Sequence, residues 1–359
     1  MLLAVVEAKD KRHAPGAGMA QAIQYAELPD VPFCFASNGD GFVFRGATLA
    51  DGVLEQNLTL DQFPGPAELW RRYCAWKGWS PEVQRMAAHF DTLLDRPSAV
   101  DALEQTILQL AVRGQLVPQD PTDEPASELL KRIRAEKDRL IAAGKIKRDK
   151  PLAPIGEDEQ PFELPEGWEW VRLVDLGDFK GGKTPSTQRS EFWGGHIPWI
   201  TPKDMKRSYL AESEDWVTSQ AVADGLGVVQ PNSVLMVVRS GILRRTFPVA
   251  INTVATTINQ DLKALEMVQP EMATYVLLLL KGFEGDILRE LTKVGTTVES
   301  IQFDLFSHHF FPIPPLPEQA RIVARVAHLC SLCADLRQRL TQSQTTQTAL
   351  TEALVAPLP

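Results

Sequence analysis

No part of this chain is apolar for long enough to cross a membrane. Its apolar runs, residues 276–280 among them, fall far short of the ~20 residues that a spanning helix needs. Cysteine is scarce: Cys34, Cys74, Cys330 and Cys333 show no framework spacing. That excludes a disulfide-stapled secreted domain and points to a reduced, cytosolic chain. Met1 is followed at once by Leu-Leu-Ala-Val-Val-Glu-Ala-Lys, with neither the basic start nor the cleavage site of a signal peptide. The expected location is therefore cytoplasmic. An excess of positive charge is also missing. The net charge of −9 argues against a nonspecific nucleic-acid binder, while leaving room for basic residues gathered locally. No internal repeat is visible, so one globular α+β module is expected and not a duplicated pair.

What is present is ordinary for a globular protein, 44% hydrophobic and 23% charged, and 359 residues are enough for two or three domains. The most informative stretch is 312–326, Pro-Ile-Pro-Pro-Leu-Pro-Glu-Gln-Ala-Arg-Ile-Val-Ala-Arg-Val. Proline fixes φ and favours extended geometry before it, so residues 312–317 are expected to be non-helical. From there Ile322, Val326, Leu329, Cys333, Leu336 and Leu340 fall at alternating steps of four and three, a heptad seam. A globular module joined stiffly to a helix that wants a partner helix is built to set a distance. The seam fades at Ser343 and Gln347 and resumes at Leu350 and Leu354.

The rest of the chain divides by pattern. Residues 1–65 read as a small α/β segment, with strands at 2–6, 31–36 and 41–44, a helix at 18–27 and an Asn38-Gly39-Asp40-Gly41 hairpin turn. Residues 66–98, opened by the Pro-Gly-Pro at 64–66, read as a connector. Residues 99–158 hold two helical pieces. Leu103, Ile107 and Leu110 mark the first, and the second runs over 126–143 with Gly144 at its end, before a charged, proline-rich linker. Residues 159–317 alternate short strands and turns with a helix near 272–281, an α+β domain, and 318–356 form the long helix.

Several motifs carry potential chemistry. Residues 177–184 satisfy G-x-x-x-x-G-K-[ST], the phosphate-cradling loop, which requires a helix opening directly after it. Here Pro185 follows and no amphipathic helix does. The stretch reads instead as a glycine turn, or as a loop setting amides, Lys183, Thr184 and Ser186 against DNA phosphates. Glu7-Ala8-Lys9 ends a strand, which puts carboxylate and ammonium on one face, with Gln21 and Tyr25 on the next helix. In metal-dependent phosphodiester cleavage such a carboxylate holds Mg²⁺ and the lysine helps activate water. Cys330 and Cys333 lack a second Cys/His pair and read as packing residues, with no metal site. His308-His309 reads as a strand-end pair. Basic residues interleave with hydroxyls and an aromatic at Lys203, Lys206, Arg207 and Tyr209, and again at Arg239, Ser240, Arg244 and Arg245. Arginine and lysine serve both to anchor phosphates and to contact guanine edges.

Residues 99–356 resemble the N-terminal half of a specificity (S) subunit of a type I restriction-modification system. The matching stretches are Ile-Leu-Gln-Leu-Ala-Val-Arg-Gly-Gln-Leu-Val-Pro-Gln-Asp-Pro at 107–121, Glu-Pro-Ala-Ser-Glu-Leu-Leu at 124–130 and Leu-Pro-Glu-Gly-Trp-Glu-Trp-Val-Arg-Leu at 164–173. They continue with Gly-Gly-Lys-Thr-Pro-Ser at 181–186, Ile-Pro-Trp-Ile-Thr-Pro-Lys-Asp-Met at 197–205, Ile-Asn-Gln-Asp-Leu at 258–262 and Pro-Pro-Leu-Pro-Glu-Gln at 314–319. The resemblance implies a target-recognition domain that reads half of a split double-stranded DNA site, flanked by long helices that form a coiled-coil spacer. It implies methyltransferase (M) and restriction (R) subunits as partners, and a non-catalytic chain. S-adenosylmethionine, ATP and Mg²⁺ would belong to those partners, so no cofactor is expected here. On this reading Lys183, Thr184, Ser186, Lys203, Arg239, Arg244 and Arg245 contact DNA. Residues Ile322, Val326, Leu329, Cys333, Leu336 and Leu340 pair with a partner helix, and two chains are expected to pair through 320–355.

The front of the chain is similar to another family. Val-Glu-Ala-Lys, Gln-Ala-Ile-Gln-Tyr and Val-Pro-Phe-Cys-Phe-Ala-Ser-Asn-Gly-Asp resemble the PD-(D/E)xK nuclease domain of type I R subunits. That family's metal-binding Asp precedes the E-x-K, and here Met1 comes first. The expectation is a truncated nuclease-like fragment with a vestigial motif, Glu7, Lys9, Gln21 and Tyr25, and no metal. The alternatives are a Mg²⁺-dependent endonuclease with a built-in recognition domain, and a non-functional fusion remnant.

Overall fold

The computed structural model describes residues 4–27, 31–46, 55–76, 96–147, 160–293, 295 and 298–355. The chain forms two compact units, Met1–Asp95 and Arg96–Pro359. The first contains β1 (Ala4–Ala8), α1 (Met19–Glu27), β2 (Phe33–Ser37), β3 (Phe42–Gly46), β4 (Gln56–Leu58) and α2 (Pro66–Trp76). The sheet order is β1-β2-β3-β4, with β1 and β2 parallel around α1 and the rest antiparallel. Side chains alternate across a strand, so β2 feeds two cores at once. Cys34 and Ala36 pack with Met19, Ala22 and Ala26 of α1, while Phe33 and Phe35 pack with Phe44 and with Leu69 of α2. The β2–β3 turn follows the sequence signal: Gly39 takes φ +88° and the Asp40 amide donates to Asn38 Oδ1 at 3.0 Å. Leu69 places residues 66–76 inside this unit, which corrects their reading as a connector. Pro66 opens a helix there because the first turn needs no amide from it. The remaining residues of that expected connector, 77–95, lie outside the described ones, as do 1–3 at the front of the first strand.

The second unit begins with α3 (Pro97–Val112) and α4 (Ala126–Ala142). Then come β5 (Glu169–Arg172), the short α5 (Leu173–Leu176), β6 (Gly177–Gly181), β7 (Trp193–Ile200), β8 (Tyr209–Leu210), β9 (Asp215–Val217) and α6 (Ser219–Ala223). They are followed by β10 (Val234–Val237), β11 (Val249–Asn252), β12 (Thr257–Ile258), β13 (Leu262–Met267), α7 (Ala273–Gly282) and α8 (Glu284–Glu290). The chain ends with β14 (Thr292–Lys293), β15 (Ser300–Ile301), α9 (Phe303–His308), β16 (Phe310–Ile313) and α10 (Leu316–Val355). A five-stranded sheet runs β6-β13-β10-β11-β8 and a three-stranded one β12-β7-β9. The architecture is α+β. Helix α7 is apolar on nearly every side because it lies between the larger sheet and α3; Tyr275, Val276, Leu279 and Leu280 are fully buried.

The two ends of the strand-rich segment meet. Strands β5 and β16 pair antiparallel, with Glu169 opposite Ile313 and Arg172 opposite Phe310. Three residues beyond β16, α10 begins at Leu316, so Pro317 lies inside its first turn. This corrects the expectation that 312–317 is wholly non-helical: proline is excluded from helix interiors, but its preset φ suits the first turn. Glu318 in that turn is 1% exposed and accepts from Trp168 Nε1 at 3.1 Å and Gln119 Nε2 at 3.3 Å. Gln319 donates to the Pro314 carbonyl at 3.0 Å, and Arg321 pairs with Asp123. Farther along, Arg337 bridges to Asp101 at 2.8 Å and Glu104 at 2.9 Å on α3.

The seam of α10 is largely used inside the chain. Ile322, Val326 and Cys333 are buried in the main core, and Leu329, Leu336 and Leu340 lie half-buried against it, with α3 and α7 as neighbours. A heptad pattern asks for a partner helix, and α3 supplies one. The expectation that 320–355 waits as a whole for a second copy is corrected over 322–340.

Two outcomes follow. Burial pushes the Glu318 carboxyl up from its ordinary 4.5, against the opposing pull of its two hydrogen bonds. The native state then holds a proton that the unfolded chain releases, so stability falls as pH rises from 4.5 through the native value. Urea unfolding of Glu318→Gln and the parent should show the stability gap moving in the variant's favour from pH 4.5 to pH 8; a constant gap would contradict the assignment. Ile322→Ala should lower stability by about 2–5 kcal/mol, with a unfolding midpoint independent of protein concentration. A concentration-dependent loss would place Ile322 in a contact between chains.

Candidate nucleic-acid interface

The loop after β6 is shaped by close backbone approach. A Cβ at Gly177 would lie 2.2 Å from the Glu266 carbonyl oxygen, and one at Gly182 would lie 2.0 Å from that of Asn259. Residues 177–181 form β6 itself, and no helix follows through residue 189. The literal phosphate-loop match is therefore a set of glycines required for strand contact. Beyond them the Lys183 amide donates to the Ile258 carbonyl at 3.0 Å, and Thr184 Oγ1 to Gln260 Oε1 at 2.5 Å. Trp199 Nε1 donates to the Lys183 carbonyl at 3.2 Å, and Trp193 Nε1 to that of Ser186 at 3.1 Å. Two tryptophans of β7 thus hold the loop so that the Lys183, Thr184 and Ser186 side chains stay exposed.

The turn carrying Gln260 also fixes an arginine. Asn259 accepts from the Asp261 amide at 3.0 Å and donates Nδ2 to Asp261 Oδ2 at 3.1 Å. The other carboxylate oxygen, Oδ1, accepts from Arg239 Nε at 2.7 Å. The Asp261 carbonyl takes the amides of Val238 and Arg239 at 2.8 and 3.2 Å. On the opposite side the Ser240 amide donates to the Glu299 carbonyl at 3.1 Å, and Ser240 caps the 3-10 turn Gly241–Arg244. The Glu299 side chain is 5% exposed and accepts from Nε of Arg244, itself 61% exposed. That bond holds the Glu299 carboxyl below its ordinary range.

The structure thus joins Lys183, Thr184, Arg239 and Arg244 into one network through Asn259, Gln260, Asp261 and Glu299. Arg245 follows Arg244 directly and is exposed. Lys203 is less directly connected. It pairs with Glu214 at 3.2 Å, on a turn where the Asp204 carboxylate accepts from Thr201, and the Ile200 carbonyl before that turn accepts the Asn259 amide at 3.0 Å. Sequence reasoning sought cations and hydroxyls and so missed the acidic and amide members. The Asn-Gln-Asp at 259–261 was visible as a matching stretch, but only the fold shows what it holds. Nothing in the sequence around Glu299 marks it.

In the first unit, Glu7 Oε1 lies 3.0 Å from Lys9 Nζ, and Lys9 also donates to Gln21 Oε1. Tyr25, one turn along α1, is exposed. Among the described residues no group of three or more His, Cys, Asp or Glu gathers as metal ligands would. A single carboxylate already paired with lysine does not fit a Mg²⁺ site. Among the same residues no helix is long and apolar enough to cross a membrane.

Residues 165–343 match the family described as "Type I restriction modification DNA specificity domain". The chain is 34% identical over 288 residues to the type I restriction enzyme EcoAI specificity subunit of Escherichia coli, covering 75% of this chain and 46% of that one. To the EcoEI specificity subunit of the same organism it is 33% identical over 287 residues, covering 75% and 47%. It spans under half the length of these relatives. A 79-residue stretch, 22% of the chain, is 61% identical to 10% of the E. coli EcoAI endonuclease subunit. These matches favour a specificity subunit over a metal-dependent endonuclease. Through residues 165–343 the chain carries a type I restriction-modification DNA specificity domain.

Proposed function

We propose that this chain reads double-stranded DNA for a type I restriction-modification system, recognising one half of a bipartite site and bringing M and R subunits to it. The observation that carries this reading is the network on the strand-rich segment, where two exposed arginines and a lysine-threonine loop share one hydrogen-bonded frame. Lys183, Thr184, Ser186, Lys203 and Arg245 anchor phosphates, and Arg239 and Arg244 approach base edges. The recognition domain spans 159–317, the helical region and linker 99–158, and the spacer 318–356. S-adenosylmethionine, ATP and Mg²⁺ act in the partner subunits. The 61% match to an endonuclease subunit supports a nuclease-like R-subunit fragment at 1–65, retained without its metal chemistry.

Two chains pair through the part of α10 that the chain's own core leaves uncovered. Residues 341–351 are exposed, Leu350 by 58%. A two-fold pair through this segment would present two recognition domains at a set spacing, suited to a symmetric interrupted site. Sedimentation should find dimers that Leu350→Asp dissociates; a monomeric parent at high concentration would overturn the pairing.

Selection from a pool of randomised duplexes by the full chain should enrich one motif. Arg239→Ala and Arg244→Ala should each lose preference at one position, about 1–3 kcal/mol of discrimination. Lys183→Ala should weaken all duplexes alike and lower the salt slope of binding by about one. Failure of the parent chain to enrich any motif would contradict the reading.

A further inference from the structure

We propose that Asp261 and Glu299 are positioning residues that set base preference by aiming Arg239 and Arg244. The inference rests on the DNA reading given above and goes beyond it. A recognition surface gains nothing in overall attraction from carboxylates, since each cancels an arginine charge that would draw phosphate. Yet both arginines are held by one. Asp261 reaches Arg239 Nε at 2.7 Å and Glu299 reaches Nε of Arg244. By contrast, Lys183 and Arg245 form no ion pair among the described residues.

The geometry of the two pairs is alike. In each, the carboxylate takes Nε, the nitrogen nearest the backbone, and among the described residues the terminal fork of two amino groups has no partner. That fork is what matches guanine O6 and N7 in the major groove. A free arginine loses rotamer entropy when it is fixed in one geometry. An arginine already pinned through Nε has lost much of that freedom before it meets DNA.

Both carboxylates are themselves immobile. Asp261 is tied by its amide and its Oδ2 to Asn259, and its carbonyl takes two amides from the end of β10. Glu299 is buried, its own carbonyl takes the Ser240 amide, and two residues on the Ile301 amide donates to the Val238 carbonyl at 2.8 Å. The peptide 238–240 is thus clamped from both sides, and the arginines at 239 and 244 leave it under control of opposite clamps. Arg239 and Arg244, each pinned through Nε, are thereby assigned to base discrimination, and the exposed cations Lys183 and Arg245 to the DNA backbone. Each pair should therefore specify a guanine at one position of the half-site.

The test uses the full chain, a pool of randomised duplexes and the motif that the parent enriches. Asp261→Ala and Glu299→Gln should each reduce discrimination at one guanine, by about tenfold for the alanine variant. Affinity for a scrambled duplex should hold or rise, because a negative charge has gone. A variant that merely misfolds would lose both. Asp261→Asn, which keeps an acceptor oxygen for Nε, should recover part of the discrimination. In a double-mutant cycle Asp261→Ala should cost nothing further once Arg239 is alanine. Unchanged discrimination in both acidic variants, or additive losses in the cycle, would overturn the proposal while leaving the DNA reading intact. A parent chain that enriches no motif would overturn both.

Discussion

The second unit depends on a buried carboxylate at the start of its longest helix. Glu318 sits where three segments distant in sequence converge, the loop after α3, the entry to β5 and the exit from β16. Removing any one partner would leave a buried polar atom without its bond, so the three segments are ordered together. Gly114 completes the junction. It takes φ +70°, and a Cβ there would lie 2.4 Å from the Pro165 ring, so only glycine lets the helix-end loop lie against Trp168. Because β5 and β16 enter and leave the strand-rich segment side by side, that segment is anchored at one place, beside α3 and α10.

Anchoring at one place has a mechanical consequence. The orientation of the Asp261–Glu299 network relative to the axis of α10 is set by the β5–β16 pair and the first turn of the helix, with no long linker between them. Arg321 to Asp123 then ties α10 to the loop before α4, and Arg337 to Asp101 and Glu104 holds it along α3. The direction in which the helix leaves the domain is fixed by packing and by charge together.

Much of this was legible in the sequence where one local rule acted alone. The Asn-Gly turn, the two helices of 97–142 and the heptad of α10 each announced themselves through periodicity or turn chemistry. Errors came where a local rule met a tertiary fact. Proline at 317 marked a boundary correctly but misplaced it, because the first helical turn tolerates it. The heptad signalled a partner helix but could not say that α3, 236 residues earlier at the Arg337–Asp101 pair, is that partner; a seam's period carries no address. The site was legible as a set of cations. It was not legible as a network, because Asp261 and Glu299 act through arginines that lie 22 and 55 residues away in sequence.

The strand-rich segment and α10 fold as one body through the Glu318 junction. Native-state hydrogen exchange measured against urea tests it most directly. The amides of β10, β13, α3 and the first six turns of α10 should share one opening free energy equal to that of global unfolding. Exchange of α10 through a separate, lower-energy opening while β10 and β13 stay protected would show the helix and the strand-rich segment to be independent, and would contradict the account.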